Sequence, residues 1–441
     1  MRILFPLLSL AACASYPEKV SGALGNFEAG RFDDAMAVLS DEDRLGSAFL
    51  AGAEAGTVAL AAGYWDLARS YFEQAAAASA DIEERALVGP EALGEALGSW
   101  VLSDGVRSYE GEGFERVYVH TSLGLTYLAQ GLLDDVYVEA RLANRLLEAE
   151  EKLYETKYKA GGFGHLLSAL TYELLGQPDQ AYIDYERMEA KGLGTALAGR
   201  ALVRLAKVLG RTEELGRWEE SFGKDVERPA GAAGIVVLAG VGMGPYKVEN
   251  SLNVYTPDGL FRIAVPKYRS RPQVVSDLRL IDEESGVSLR TERVEDVTAV
   301  AHKNLKDRLA WLTAKSALRS AGKMVLTNQL EEKYDGAGFL AGTLFTAMTE
   351  RADLRAWMSL PDSWQACRLF VPPGTRTFTL EAIGGHTVSL GSYQLEPEET
   401  MFVFVRTLGP DIYAHVVGGQ RVEPPIGEPS GFESNRETNS P

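Results

Sequence analysis

Glu115, Arg116, His120, Glu139, Arg141 and Asn144 are the polar side chains whose types and spacing could do chemistry together. Such groups can form a buried network that fixes how two helices meet or line a groove that contacts a ligand, and no general acid, base or nucleophile constellation is read among them. His120 opens one apolar-periodic segment and Glu139 lies in the next, so a helical hairpin would bring them face to face beside a concave groove. They are the candidate groove or structural polar cluster. Other chemistry is sparse. His165, His302, His386 and His415 form no His-x-x-x-His pair and no Cys/His cluster, so no metal site is read. Gly240-Val241-Gly242-Met243-Gly244 opens like a dinucleotide loop, but Pro245 stands where the third glycine belongs and Tyr246 to Val254 reads as a strand. Those glycines then serve a tight turn or a close backbone approach. No Gly-x-Ser-x-Gly elbow is present, and the expectation is a chain that is not an enzyme and takes no cofactor.

The N-terminus carries a different chemistry. Arg2, the short apolar run Ile3 to Leu10, and Leu10-Ala11-Ala12-Cys13 make a secretory signal over residues 1–13. The Leu-Ala-Ala-Cys ending resembles a bacterial lipoprotein box, which implies lipidation at Cys13. Ala14, in place of Asp, resembles the lipoproteins sorted to the outer membrane, so the expected location is that membrane, facing the periplasm. Cys367 is the other of two cysteines, so no disulfide framework is expected and Cys367 reads as a buried small hydrophobe. A net charge of −18 argues against nucleic acid.

The elements that would position the cluster repeat. Gly30-Arg31-Phe32-Asp33-Asp34-Ala35 returns as Gly63 to Ala68, Gly131 to Val136 and Gly176 to Ala181, with a weaker copy at Gly210. Gly63 follows Gly30 by 33 residues, Gly210 follows Gly176 by 34, and Gly131 follows Gly63 by 68, or two units. A 34-residue period of Gly, aromatic or Leu, then Ala is the tetratricopeptide pattern. Glycine permits the turn between two helices, and the small Ala lets them approach. About five to six such units are read over residues 20–228, within a helical domain at 14–228. The 45-residue gap from Gly131 to Gly176 fits one lengthened helix, Asp134 to about Tyr158.

Strand patterns take over near Pro229. Ile235 to Leu238 is a buried run, Leu252, Val254, Phe261, Ile263 and Val265 alternate, and later strands follow at Leu278, Val287, Arg368, Thr377, Thr387 and Met401. The fold class is α + β and multidomain: a tetratricopeptide-like α-solenoid, then an antiparallel β-sandwich-like domain at 229–420. Two helices are expected to interrupt it at about 296–350, Val297 to Leu330 and the Gly/Ala-rich Gly336 to Thr349. Residues 421–441 are expected to be disordered.

Phe114-Glu115-Arg116-Val117, Val138-Glu139-Ala140-Arg141, Tyr172-Glu173, Pro245-Tyr246-Lys247-Val248-Glu249, Asn304-Leu305-Lys306-Asp307-Arg308-Leu309 and Asp353-Leu354-Arg355-Ala356-Trp357 resemble an uncharacterised family of proteobacterial lipoproteins with tetratricopeptide-like repeats and a C-terminal β domain. Phe370-Val371-Pro372-Pro373-Gly374-Thr375 is also similar to small surface modules of the PEGA type. The family lends architecture and no activity. The expected function is a protein-binding scaffold or assembly factor of the cell envelope, holding an envelope protein in its groove. The alternatives are a regulator of a cell-wall synthase or a glycan- or peptidoglycan-binding protein, for which Trp357 and Trp364 would be the stackers, against their reading as core packing beside Leu354, Leu360 and Leu369.

Overall fold

A computed structural model describes residues 15–100, 108–224, 228–256, 259–311 and 352–422, and the side chains of all of these except 98–100 and 252–263. Cys13, the later part of Val297–Leu330, the Gly336–Thr349 segment and the tail beyond 422 lie outside the described residues.

Among the described residues five helical hairpins stack in chain order: α1 (Tyr16–Glu28) with α2 (Phe32–Leu39), α4 (Ala48–Ala62) with α5 (Trp65–Val88), α7 (Gly113–Ala129) with α8 (Leu133–Leu153), α9 (Gly162–Leu174) with α10 (Pro178–Ala190), and α11 (Thr195–Val208) with α12 (Thr212–Phe222). Short α3 (Glu42–Leu45) and α6 (Pro90–Trp100) lie between them. Gly30, Gly63, Gly131, Gly176 and Gly210 each occupy a hairpin turn at φ between +66° and +76°, a conformation costly to any residue with a Cβ. Ala35, Ala68, Val136 and Ala181, five residues after their glycines, are fully buried where the second helix meets the first. Carboxylates at Asp33, Asp66, Asp134 and Asp179 open the second helices and complement their dipoles. Two expectations need correction. The 68-residue interval does not hold a second hairpin among the described residues: α5 runs unbroken to Val88, and Gly89 separates it from α6. The lengthened helix stops at Leu153, and a loop leads to α9.

The strands of the described residues form two five-stranded sheets and a ribbon. The first sheet holds β11 (Asp411–Val417), β10 (Thr400–Leu408), β1 (Ala233–Val241), β7 (Ser363–Val371) and β6 (Glu292–Asp296), in that order. The second holds β12 (Gln420–Val422), β9 (Thr387–Leu395), β8 (Gly374–Ala382), β4 (Leu278–Asp282) and β5 (Ser288–Arg290). Among the described residues β2 (Tyr246–Thr256) and β3 (Gly259–Arg269) pair with each other alone, in a separate two-stranded ribbon. The expected purely antiparallel arrangement fails at the centre of the first sheet, where β1 runs parallel to β10 with Ile235 opposite Met401. A helix follows β6 over the described residues 297–311.

The first sheet is buried on both faces. Ile235, Val237, Cys367, Leu369 and Val403 pack against Leu280, Phe378 and Leu380 of the second sheet. Val236, Leu238, Trp364, Phe402 and Phe404 join the core of the helical array. This explains why β1 reads as an unbroken apolar run. The contact is intimate: Trp364 stacks on Phe163 at 4.5 Å, Phe404 lies 5.4 Å from Trp65, and Ala61 accepts a hydrogen bond from His415 Nε2 at 2.9 Å. Every residue of α7 but Tyr127 is buried, whereas α12 buries only Trp218. The first helices α4, α9 and α11 lie against the chain's own β strands, joined by the starts of the second helices α2 and α5 through Phe32 and Trp65, and the rest of the second helices is more exposed. Trp357 and Trp364 are 2% and 4% exposed, so neither is a surface stacker for a glycan.

Candidate functional site

The predicted cluster divides into four places. His120 on α7 lies between Glu83 of α5, at 2.9 Å, and Glu139 of α8, at 2.6 Å. Glu115 turns elsewhere, accepting from Tyr109 Oη at 2.5 Å and the Trp357 amide at 2.8 Å. Asn144 approaches His165 at 3.1 Å, while Arg141 is exposed and donates to Tyr137 Oη. These groups do not converge on an open groove, because the sheet covers that wall.

Flanked by two carboxylates, the His120 ring must donate from both nitrogens, which requires the imidazolium. Burial opposes that charge, but the bonds from Glu139 and Glu83 outweigh it and raise the pKa from 6.5 to about 9. Glu83 moves the other way, its burial offset by the His120 bond. A folded-state pKa above the unfolded value stabilises fully below pH 6.5 and is lost as pH rises through about 9, a change on the order of 3 kcal/mol. Glu295 on β6 acts in the same direction. Burial pushes its carboxyl up to about 7 despite the Phe163 and Gly161 amides it accepts, so its ionisation costs stability as pH rises from 4.5 through about 7. The thermal midpoint should fall between pH 6.5 and pH 9. His120→Gln should flatten that fall, and an unchanged pH profile would remove the cluster as its cause.

Sequence reasoning missed a second pair in the same repeat phase. His165 stands eleven residues before Gly176, as His120 does before Gly131, and Asp184 stands eight after Gly176, as Glu139 does after Gly131. His165 bonds Asp184 at 2.8 Å, and Ser168 donates to the same carboxylate at 2.6 Å. The same His–carboxylate bond thus joins the two helices of each of these hairpins.

A larger network was also missed, although Glu112, Arg116, Lys247, Asn304 and Arg308 lie in or beside segments that carry the family resemblance. Glu112, at the start of α7, accepts from Lys247 Nζ of the ribbon at 2.5 Å and from Arg308 of the 297–311 helix. Burial would raise its carboxyl, but Arg308 and Lys247 hold it at about 2. Glu150 of α8 accepts from Arg116 at 2.9 Å and from Asn304 at 3.3 Å. Glu54 of α4 accepts from Tyr16 Oη, the Met358 amide and the Ser359 amide at 2.9, 2.7 and 2.9 Å. Helices, ribbon and the 352–361 strap thus meet in one buried polar seam. Toward the far end of the array, Glu292 accepts from the Ala196 and Leu197 amides at the start of α11, at 3.0 and 3.1 Å.

These carboxylates are occupied by protein donors. Among the described residues no group of three or more His, Cys, Asp or Glu side chains is placed to hold a metal. Burial pushes the Cys367 thiol up to about 12, which keeps it protonated and unreactive near neutrality. The Gly240–Gly244 run makes a turn packed against the strap: Gly242 takes φ +66°, and the Gly244 amide donates to the Leu360 carbonyl at 2.7 Å.

The architecture is a helical-hairpin repeat array joined to a β structure, held by structural polar contacts. No protein-family model matches the chain, and no curated protein matches it. Among solved structures it is similar to MamA MSR-1 C2, at 15% identity and a TM-score of 0.28 over 47% of this chain and 95% of that one. It is likewise similar to a thermophilic TPR protein of Thermus thermophilus, at 16% identity and a TM-score of 0.26 over 48% and 94% of the two chains. PilW, a widely conserved type IV pilus biogenesis factor, gives 16% identity and a TM-score of 0.25 over 48% and 93%.

Proposed function

We propose that the chain is a non-enzymatic, lipid-anchored scaffold or assembly factor of the cell envelope, held at the outer membrane through Cys13 and recruiting a protein partner with its helical array. The observation that carries this reading is the array itself. Stacked hairpins present extended surfaces whose common use is to hold other polypeptides, and here the outward second helices remain available. The sheet occupies the inner wall, so the partner docks on the outer face or an end of the array. The two five-stranded sheets act as a sandwich-like brace for the array, with their buried tryptophans serving packing.

Affinity purification of the full chain from envelope extracts should recover one protein in stoichiometric amount. Recovery of lipid or glycan alone would overturn the scaffold reading. Cys13→Ala should leave the fold intact, by circular dichroism, and move the protein from the membrane fraction to the soluble one, since acyl chains contribute about 0.8 kcal/mol per buried CH₂. A Cys13→Ala protein that stays with the membrane places the anchor elsewhere.

A further inference from the structure

The first sheet buries a cation where it meets the array. Arg406 of β10 is 5% exposed, and register sets its neighbours: Gly240 of β1 stands beside it, and Trp364 of β7 stands on the other side of Gly240. Alternation along the strands puts all three on the face whose Leu238, Phe404 and Trp364 join the core of the array.

The terminal nitrogens of Arg406 are held by neutral acceptors. Nη1 donates to the Gly240, Gly242 and Thr407 carbonyls, and Nη2 donates to the Ser359 carbonyl and to Met243 Sδ, both at 3.1 Å. Glu28 and Asp362 act on its charge only at longer range, and each is already bonded, to Arg271 and to Thr298. Burial and Arg271 lower the Arg406 pKa to about 9, so the side chain is still a cation near neutrality. A buried charge without a counter-ion is costly.

Two N–H donors here have no protein acceptor among the described residues: Arg406 Nε and the Trp364 indole Nε1. Both residues line a cavity of about 20 Å³ between sheet and array, room for one small guest. Gly240 leaves its walls uncrowded. A Cβ there would lie 3.2 Å from the Trp364 ring, 3.3 Å from Pro361 and 3.4 Å from Arg406 Cδ, all three lining residues.

The rest of the wall is poor in acceptors. Leu125, Leu238 and Phe404 are apolar. Thr57 Oγ1 donates to the Ala53 carbonyl and accepts from the Trp357 indole. His415 donates from Nε2 to the Ala61 carbonyl and turns Nδ1 toward Gly63. A water molecule needs acceptors for its own hydrogens as well as donors. A halide needs donors alone, and it carries the charge that Arg406 lacks.

We propose that this cavity is a buried halide site, in which Arg406 Nε and Trp364 Nε1 hold one chloride ion at the join of sheet and array. The cavity is too small for phosphate or a carboxylate ligand, so the class is a monatomic anion. The site is independent of what the array binds.

The probes are sodium bromide and sodium chloride, applied to the full chain. Crystals grown in bromide should show an anomalous peak between Arg406 Nε and Trp364 Nε1. In solution, the thermal midpoint should rise saturably as chloride replaces gluconate at constant ionic strength. Trp364→Phe keeps a ring against Phe163 and removes one donor, so it should weaken chloride by at least about tenfold. Gly240→Ala sets a methyl against the same walls and should abolish the response. Arg31→Gln, at an exposed position of the first hairpin, should leave it unchanged. The proposal is overturned if the bromide map has no peak there, if the parent melts alike in chloride and gluconate, or if Trp364→Phe and Gly240→Ala respond to chloride as the parent does. Should either variant fail to fold, the bromide map and the parent titration decide.

Discussion

Glu112→Ala should lower the free energy of unfolding by about 3–5 kcal/mol, because it leaves buried cations without their counter-charge. Glu112 is 4% exposed and Lys247 2% exposed, and Arg308 completes the group. Lys247 lies 5.5 Å from the rings of both Tyr109 and Tyr268, which moderate its charge but cannot replace a carboxylate. The loss also falls on the start of α7, where Glu112 is the N-cap residue and Glu115 reaches back to its amide at 2.9 Å. Lys247→Met should cost less, since Glu112 keeps Arg308 and the methionine fills much of the same volume. Denaturant titration of the variants checks the order. A Glu112→Ala loss under about 1 kcal/mol, or a Lys247→Met loss that exceeds it, would falsify the view that this pair locks ribbon to array.

The parts of this fold legible in sequence are those with local causes. A hairpin turn at positive φ calls for glycine, and a close helix crossing calls for a small residue five positions on, so Gly30, Gly63, Gly131, Gly176 and Gly210 marked the five hairpins. The same logic overreached between Gly63 and Gly131, where spacing suggested another unit, but α5 runs unbroken to Val88 and the glycines near the midpoint, Gly94 and Gly98, lie within α6. Long-range pairing left no comparable mark. β1 meets β10 more than a hundred residues away, and each strand reads as buried whichever direction its neighbour runs.

Charge was the hardest signal to interpret. Lys247, Arg308 and Glu112 each look like solvated surface residues until the fold brings them together, and only then does their burial become affordable. His165 and Asp184 were accessible in principle, since they repeat the phase of His120 and Glu139 relative to a turn glycine. The groove expectation failed for a related reason. A first helix that packs on a partner and one that packs on its own chain carry the same apolar pattern, and α7 satisfies its inner face internally.

Trp357→Ala should destabilise the chain by about 3–5 kcal/mol and loosen the join between array and sheet before either part unfolds. The strap at 352–361 crosses the helices much as a bound peptide would. The Trp357 indole donates to Thr57 at 3.0 Å and lies 6.0 Å from Phe72, its amide donates to Glu115, and the next two amides donate to Glu54. Removing the indole opens a cavity between α4, α5 and the strap and leaves Thr57 without that donor, while β7 continues directly from the strap at Ser363. Hydrogen exchange should therefore quicken first at the Met358 and Ser359 amides and then along β7. Glu54→Gln should quicken the same two amides with a smaller loss of stability, because the amide oxygen still accepts. Uniform acceleration across the whole chain in Trp357→Ala, with no lead at positions 358 and 359, would show that the strap is ordinary core rather than the latch that closes the array.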